Sequence, residues 1–348
     1  MLVYMTEKEL FSQYEALKKT CWSMEERKEE ISSFFTSRKR KGIVFIGCGS
    51  SFSLAKSAAL SANLRLDIPS FAFAAGDLLL NFENYRNFLK DRILVSISRS
   101  GSTSEVVEFL TRAVEELHTP CVSLCATRGS KISKLADLNI ELPWIFDESI
   151  CQTRCVTNLY TASLLLIAFF SGDDALPEDI RKAVDYGESY ISGAKEQLRQ
   201  IVENGQWNKA VVLADGEMEG IAEEGALAFN EICMLPSHYY HVLDIRHGPM
   251  VLVDRETFAL VLASPREEAH QKKLIADLKA KGCTVLAFSN QKENIWGADY
   301  HISYPLDLTA AVYGIPFIFL AQALSFFKAL QLGQNPDQPD GLKPWIQL

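Results

Sequence analysis

Two short segments carry the residues best suited to holding a small anion. Gly47-Cys48-Gly49-Ser50-Ser51 and Ser98-Arg99-Ser100-Gly101-Ser102-Thr103 each join an apolar run to a helix-periodic stretch. Glycines permit tight turns there, hydroxyls supply donors, and the start of a helix offers free amides and partial positive charge. Serine and threonine also favour helix N-caps for reasons unrelated to ligands. Two such loops at equivalent strand ends shift the balance toward a phosphate pocket, because an open parallel sheet binds ligands beyond its strand C-termini. Phe52 stands where a dinucleotide fingerprint needs its third glycine, and no Walker lysine follows. A small phosphorylated ligand is the remaining choice.

The elements that must position these loops repeat along the chain. Ile43–Ile46, Ile93–Ile97, Val122–Leu124 and Leu138–Leu142 read as buried parallel strands, set among helix-periodic stretches such as Glu105–Leu117. The second half offers Ala210–Ala214, Phe258–Ala263, Val285–Phe288 and Ile302–Pro305. Asn139–Pro143 answers to His301–Pro305, and Cys121–Ala126 answers to Cys283–Phe288, both at an offset of 162. The apolar helix Val156–Phe170 has a counterpart in Ala310–Phe327. Two copies of one α/β unit explain this, each a doubly wound parallel sheet. The expected organisation is a helical lead-in over 1–35, a first domain over 36–172, a helical connector over 173–204, a second domain over 205–330 and a tail over 331–348. Within the lead-in, the charge run from Glu25 to Glu30 reads as a solvated face.

Composition narrows the classes. The 348 residues carry 35 Lys and Arg against 44 Asp and Glu, a formal charge of −9, which gives no general electrostatic reason to bind nucleic acid. Apolar residues at 48% and charged residues at 23% are globular proportions. Eight cysteines are too sparse for a disulfide scaffold, and the first residues show neither a basic start nor a sustained apolar run, so a cytoplasmic location is expected. Thr309–Phe327 lacks charge, but Pro316, Gln322 and Ser325 interrupt it, which favours a buried helix over a membrane span.

The two serine loops resemble those of the sugar isomerase (SIS) domain family, in which paired flavodoxin-like domains bind phosphosugars through Gly-x-Gly-x-Ser and Ser-x-Ser-Gly-x-Thr motifs. The pairing resembles the isomerase half of glucosamine-6-phosphate synthase and the deaminases and deglycases related to it. The resemblance covers about residues 35 to 348. It implies that Cys48, Gly49, Ser50, Ser51, Ser98, Arg99, Ser100 and Thr103 bind the substrate phosphate and sugar. Glu148–Thr157 resembles a third sugar-contacting loop and brings in Thr153, and the tail 338–343 resembles one whose lysine closes over substrate, here Lys343. The helix from Glu224 to Glu231 resembles the one that supplies the catalytic glutamate, at Glu231, and His247-Gly248-Pro249 resembles the ring-opening histidine motif. In relatives that histidine reaches a neighbouring subunit, so a homodimer or dimer of dimers is implied.

Chemistry agrees with these roles. Moving a proton between C1 and C2 of an open-chain sugar needs a base that takes it and returns it, which a carboxylate does, and ring opening suits a histidine. Gly225, Ala226 and Ala228 are expected to leave room for substrate beside Glu231. Ala228 and Asn230 stand where the synthase helix carries lysines, Arg99 replaces a glutamine, and residue 2 is Leu rather than a nucleophilic cysteine. An ammonia-delivering synthase is therefore not expected. The implied activity is deamination or deglycation of an amino-sugar or ketosamine 6-phosphate, with aldose–ketose isomerisation as the alternative. A sugar-phosphate-binding regulator is the rival from another class. Neither metal nor other cofactor is implied, since the spacing of His238, His241 and His247 matches no zinc pattern.

Overall fold

The computed structural model describes residues 4–38, 41–264 and 266–343. The first three residues of the expected lead-in and the last five of the expected tail lie outside the described residues. Among the described residues, ten strands form two five-stranded sheets in which every pairing is parallel. The first sheet contains β1 (Ile43–Gly47), β2 (Ser70–Ala74), β3 (Ile93–Ser98), β4 (Cys121–Cys125) and β5 (Leu138–Glu141), in the order β2-β1-β3-β4-β5. The second contains β6 (Lys209–Leu213), β7 (Ser237–Tyr240), β8 (Thr257–Leu262), β9 (Thr284–Ser289) and β10 (Tyr300–Ser303), in the order β7-β6-β8-β9-β10. Each sheet reverses direction beside its first strand, the doubly wound arrangement that opens a crevice at that point.

Two compact units are built on these sheets. Helix α1 (Met5–Phe11) belongs to the unit of the second sheet. The first sheet's unit holds α2 (Gln13–Glu26), α3 (Lys28–Thr36), α4 (Ser50–Arg65), α5 (Ala75–Leu80), α6 (Phe82–Leu89), α7 (Ser104–Leu117), α8 (Lys131–Leu135) and α9 (Arg154–Ser171). Helix α10 (Ala175–Glu203) starts in that unit and ends in the other, which also holds α11 (Glu219–Ile232), α12 (Glu268–Ala280) and α13 (Gly314–Gln331). The strands β1, β3 and β4 are buried at every residue, because helices cover both faces of the sheet. The apolar helices α9 and α13 are long enough to cross a membrane by length and composition, yet 89% of each apolar window is buried inside the protein.

Side-chain joints repeat along with the strands. Asn63 on α4 donates its amide to the Ser70 carbonyl and accepts from the Ser70 N–H, at 2.8 and 2.7 Å. Asn230 on α11 makes the same pair of bonds to Ser237, at 3.2 and 2.8 Å. Asp137 accepts from the Cys121 N–H and Asp299 from the Val285 N–H, each locking the fourth strand of its sheet to the turn before the fifth. These joints and the strand registers place Ile43 opposite Ala210 in the repeat, Ile93 opposite Phe258, Val122 opposite Leu286 and Leu138 opposite Tyr300. The offset of 162 read from the sequence therefore holds for the fifth strands. It fails for the fourth, where Cys121 corresponds to Val285 rather than Cys283, because the loop between the fourth and fifth strands is shorter in the second copy.

Candidate active site

In the first sheet, β1 ends at Gly47, where an added Cβ would come 2.3 Å from the Ser51 carbonyl carbon. Gly49 then takes φ +53° and serves as the N-cap of α4. A glycine has no capping side chain, so Ser50 and Ser51 occupy the first turn of the helix instead of its cap, and both are buried. The capping explanation of these serines is thus removed. In the second loop the N-cap of α7 is Thr103, half-buried, and its hydroxyl makes no capping bond. Ser98 Oγ accepts from the Gly101 N–H at 2.9 Å and Ser100 Oγ from the Ser102 N–H at 3.2 Å, which folds the loop over the β3 end. Because β1 and β3 are neighbours, both loops flank one crevice of the first sheet.

Thr153 is fully buried and caps α9 by position, while the chemistry of the cap comes from Asp147. The Asp147 carboxylate accepts from the N–H groups of Thr153 and Cys155 at 2.8 and 2.9 Å and lies 3.5 Å from the Arg154 Nε. An acidic group at a helix N-terminus interacts favourably with the helix dipole, and here it fixes the loop in place. Asp147 was not singled out from the sequence. Its signal, an acidic residue six positions before a helix-starting Thr153, is too common to find unaided. Arg99, expected to meet an anion, is buried in the first unit, with its guanidinium carbon 5.9 Å from the Phe146 ring centre. Cys48 is half-buried, and burial together with the Glu105 carboxylate raises its thiol to about 11, so it is neutral and non-nucleophilic at pH 7. Lys343 is exposed.

The second copy does not keep the serines of the first loop. Gly216 repeats the left-handed backbone of Gly49 with φ +62°, but Asp215, Glu217 and Met218 stand where the first copy has Cys48, Ser50 and Ser51. Carboxylates there repel a phosphate. Conversely, Glu231 occupies the place held by the exposed Leu64 in the first copy, directly after the repeated asparagine joint. Asn230, read from sequence as a departure from a family lysine, ties α11 to β7 and so fixes the helix end that bears Glu231.

Gly225 does something other than expected. A Cβ at Gly225 would sit 3.1 Å from the Ala321 Cβ and 3.5 Å from Val212, and Ala226 and Ala228 are buried. Gly225 thus seats α11 against α13 and β6, and the room it makes is filled by protein.

His247 lies in the crossover from β7 to β8, which runs through two short 3-10 turns, Asp244–Arg246 and Pro249–Leu252, instead of an α-helix. Val242 and Ile245 of this crossover pack with Val211, Leu213 and the α12 residues Leu274, Ile275 and Leu278. Arg246 pins it to Asp277 through bonds of 2.7 and 3.1 Å. Successive strand residues face opposite sides of a sheet. Helix α11 packs on the side of Val212, whereas the crossover packs on the side of Val211 and Leu213, so the second sheet stands between Glu231 and His247 of one chain. His247 is exposed, and so are Leu243, Val251 and Leu252 around it, the last two at 80% and 64%. His238 and His241 are not gathered with it. His241 Nδ1 lies 3.0 Å from both Asp215 and the Tyr239 hydroxyl, and among the described residues no three His, Cys, Asp or Glu side chains form a metal cluster.

Comparison with known proteins agrees with this architecture. The chain is 27% identical over 315 residues to the D-galactosamine-6-phosphate deaminase AgaS of a Shewanella strain, covering 85% of this chain and 77% of that protein. It is 24% identical over 263 residues to the glutamine–fructose-6-phosphate aminotransferase of Escherichia coli, covering 73% of this chain but only 43% of that longer protein. Among solved structures, the glucosamine-6-phosphate deaminase of Thermotoga maritima superposes with a TM-score of 0.81 at 24% identity, covering 99% of this chain and 100% of the other. The tagatose-6-phosphate ketose/aldose isomerase of Escherichia coli superposes at 0.84 with 22% identity, covering 99% and 97%. These two structures share the fold. The SIS domain model matches residues 37–170 and again 205–323, one match to each sheet, and the chain belongs to the SIS domain family.

Proposed function

We propose that this protein is a cytoplasmic enzyme that acts on an amino-sugar or ketosamine 6-phosphate and releases the amine through an enediol or enolamine. The observation that carries the reading is the asymmetry of the duplication. The loop after β1 carries Ser50 and Ser51 where the matching loop after β6 carries Glu217 and Met218, and a carboxylate replaces a leucine at the end of α11 in the second copy. A regulator that merely binds phosphosugar needs the loops and has no use for Glu231. The names of the relatives support the same chemistry, since deaminases and an isomerase of hexose 6-phosphates are among them.

In this reading Cys48–Ser51 and Ser98–Thr103 hold the phosphate by backbone amides and hydroxyls, with Thr153 shaping the neighbouring loop and Lys343 closing over substrate. Glu231 moves the proton between C1 and C2, which contributes roughly 10²–10⁴ in rate for a well-placed base. His247 opens the ring. Because the second sheet separates His247 from Glu231 in one chain, His247 serves a second copy, and the exposed Leu243, Val251 and Leu252 supply apolar surface for that association. Aldose–ketose isomerisation shares the first proton transfer and is the alternative outcome. Turnover against a panel of aminosugar and ketosamine 6-phosphates, with ammonia, amino acid and hexose phosphate each quantified, decides between them. Tight binding without turnover of any panel member would instead support the regulator.

A further inference from the structure

The second sheet has a cavity of about 340 Å³ beyond the ends of β8 and β9, formed entirely within its own unit. In the first sheet the corresponding position carries the buried Arg99, which lies over Phe146. The strand registers make Ser264 the counterpart of Arg99, and Ser264 lines the cavity. Exchanging a long side chain for a hydroxymethyl group leaves the space open. The duplication has thus moved the phosphate loops out of this copy and opened a different cavity.

Its lining has a definite character. Leu262, Phe288 and Leu308 give it apolar walls, and two opposite charges, Arg266 and Asp307, stand at the exposed rim. Neither charge is in an ion pair with another described residue. Arg266 is held through its backbone, its N–H donating to Ser264 Oγ at 3.2 Å and its carbonyl accepting from Gln271 at 3.1 Å, and it lines the cavity. The loop bearing Asp307 is fixed by the Tyr313 hydroxyl, which donates to the Leu306 carbonyl at 2.6 Å and accepts from the Leu308 N–H at 3.2 Å. The walls and the backbone that carries both charges are therefore preformed. Ligand sites of this size combine an apolar body with a few fixed polar groups.

We propose that this cavity binds an α-amino acid with an apolar side chain, its carboxylate on Arg266, its ammonium on Asp307 and its side chain against Leu262, Phe288 and Leu308. A phosphate is disfavoured, since the adjoining β6 loop presents Asp215 and Glu217 in place of Cys48 and Ser50. A simple carboxylate or a simple amine would leave one rim charge unmet. The site is formed within the unit of the second sheet and uses none of the loop residues of the first, and the proposal holds whatever reaction those loops serve.

Calorimetric titration of the intact protein with L-leucine tests it, using 4-methylpentanoate and isoamylamine as analogues that each lack one charge. The expected result is one saturable site per chain for leucine. Each analogue should bind at least roughly tenfold more weakly, the loss typical of one charged hydrogen bond. Arg266→Gln and Asp307→Asn should each weaken leucine by a similar factor, with unchanged circular dichroism because both side chains are exposed. Ser264→Arg should restore the first copy's plug and abolish binding; where that variant does not fold, the two rim variants decide. No heat with millimolar leucine would overturn the proposal. So would leucine affinity unchanged in both rim variants, or 4-methylpentanoate binding as tightly as leucine.

Discussion

Mixing two inactive variants gives a number that follows directly from the placement of Glu231 and His247 on opposite sides of the second sheet. Glu231→Gln keeps size and polarity but removes the base, and His247→Ala removes the ring-opening group, so each alone should lose roughly 10²–10⁴ of the rate. If Glu231 of one chain works with His247 of another, a hybrid dimer contains one site with both groups and one site with neither. Random exchange at equal concentrations makes about half the dimers hybrids, each with one of two sites intact. Activity should therefore recover to roughly a quarter of wild type. The assay is steady-state turnover of the best panel substrate after co-refolding or subunit exchange, against each variant alone. Recovery absent despite mass-spectrometric proof of hybrid dimers would refute the shared site. So would a protein that is monomeric by light scattering at micromolar concentration and yet fully active.

Further outcomes are expected. Ser100→Ala with Thr103→Ala should weaken glucosamine 6-phosphate by about 10²-fold or more in calorimetry, at roughly 1.5–3 kcal/mol for each hydrogen bond to a charged group, with the fold intact; unchanged affinity would take the phosphate away from this loop. Gly101 has φ +60°, and a Cβ there would sit 2.3 Å from Ser130 Oγ, so Gly101→Ala should lower stability by about 1–3 kcal/mol or more in denaturant titration. Gly172→Ala, at φ +71° with open space around it, is the milder control. Asp337→Ala removes the acceptor of the Met5 and Thr6 N–H groups, at 2.9 and 2.7 Å, and of the Thr6 hydroxyl, and should release α1 to proteolysis before the rest of the chain. Burial raises the Cys48 thiol from its ordinary 9.0 to about 11 and those of Cys233 and Cys283 to about 12. The folded state then holds these protons more tightly than the unfolded one, so this stabilisation is complete below pH 9 and declines as pH rises toward 11 and 12. The denaturant midpoint should fall across that range and fall less in Cys48→Ala; a flat profile would contradict the burial.

The interior strands were legible because parallel strands covered on both faces must be apolar throughout, and Ile43–Ile46, Ile93–Ile97 and Val285–Phe288 are. The edge strands β2 and β7 were not. Ser-Phe-Ala-Phe-Ala and Ser-His-Tyr-Tyr are short and partly exposed, and only their pairing with β1 and β6 makes them strands. The helix from Glu224 to Glu231 was visible as a pattern, yet the reason for its small residues was not, since Ala321 lies 96 positions from Gly225 in sequence and becomes its neighbour only through the packing of α13 on α11.

What the sequence determined by itself was local: the two serine loops, the repeat, and the residue types able to carry a phosphate or move a proton. Glycine backbones and hydroxyl donors act over a few residues, so their order along the chain is enough to reveal them. Tertiary structure decided everything that depends on which face of a sheet a residue occupies. It placed the second sheet between Glu231 and His247, buried Arg99 over Phe146, and left open in the second copy the space that Arg99 fills in the first. Strand register controls these outcomes, and a one-residue shift in register exchanges the two faces of a strand. No local pattern reports that shift, because it is fixed by the joints Asn63–Ser70, Asn230–Ser237, Asp137–Cys121 and Asp299–Val285, whose partners meet only when the sheets form.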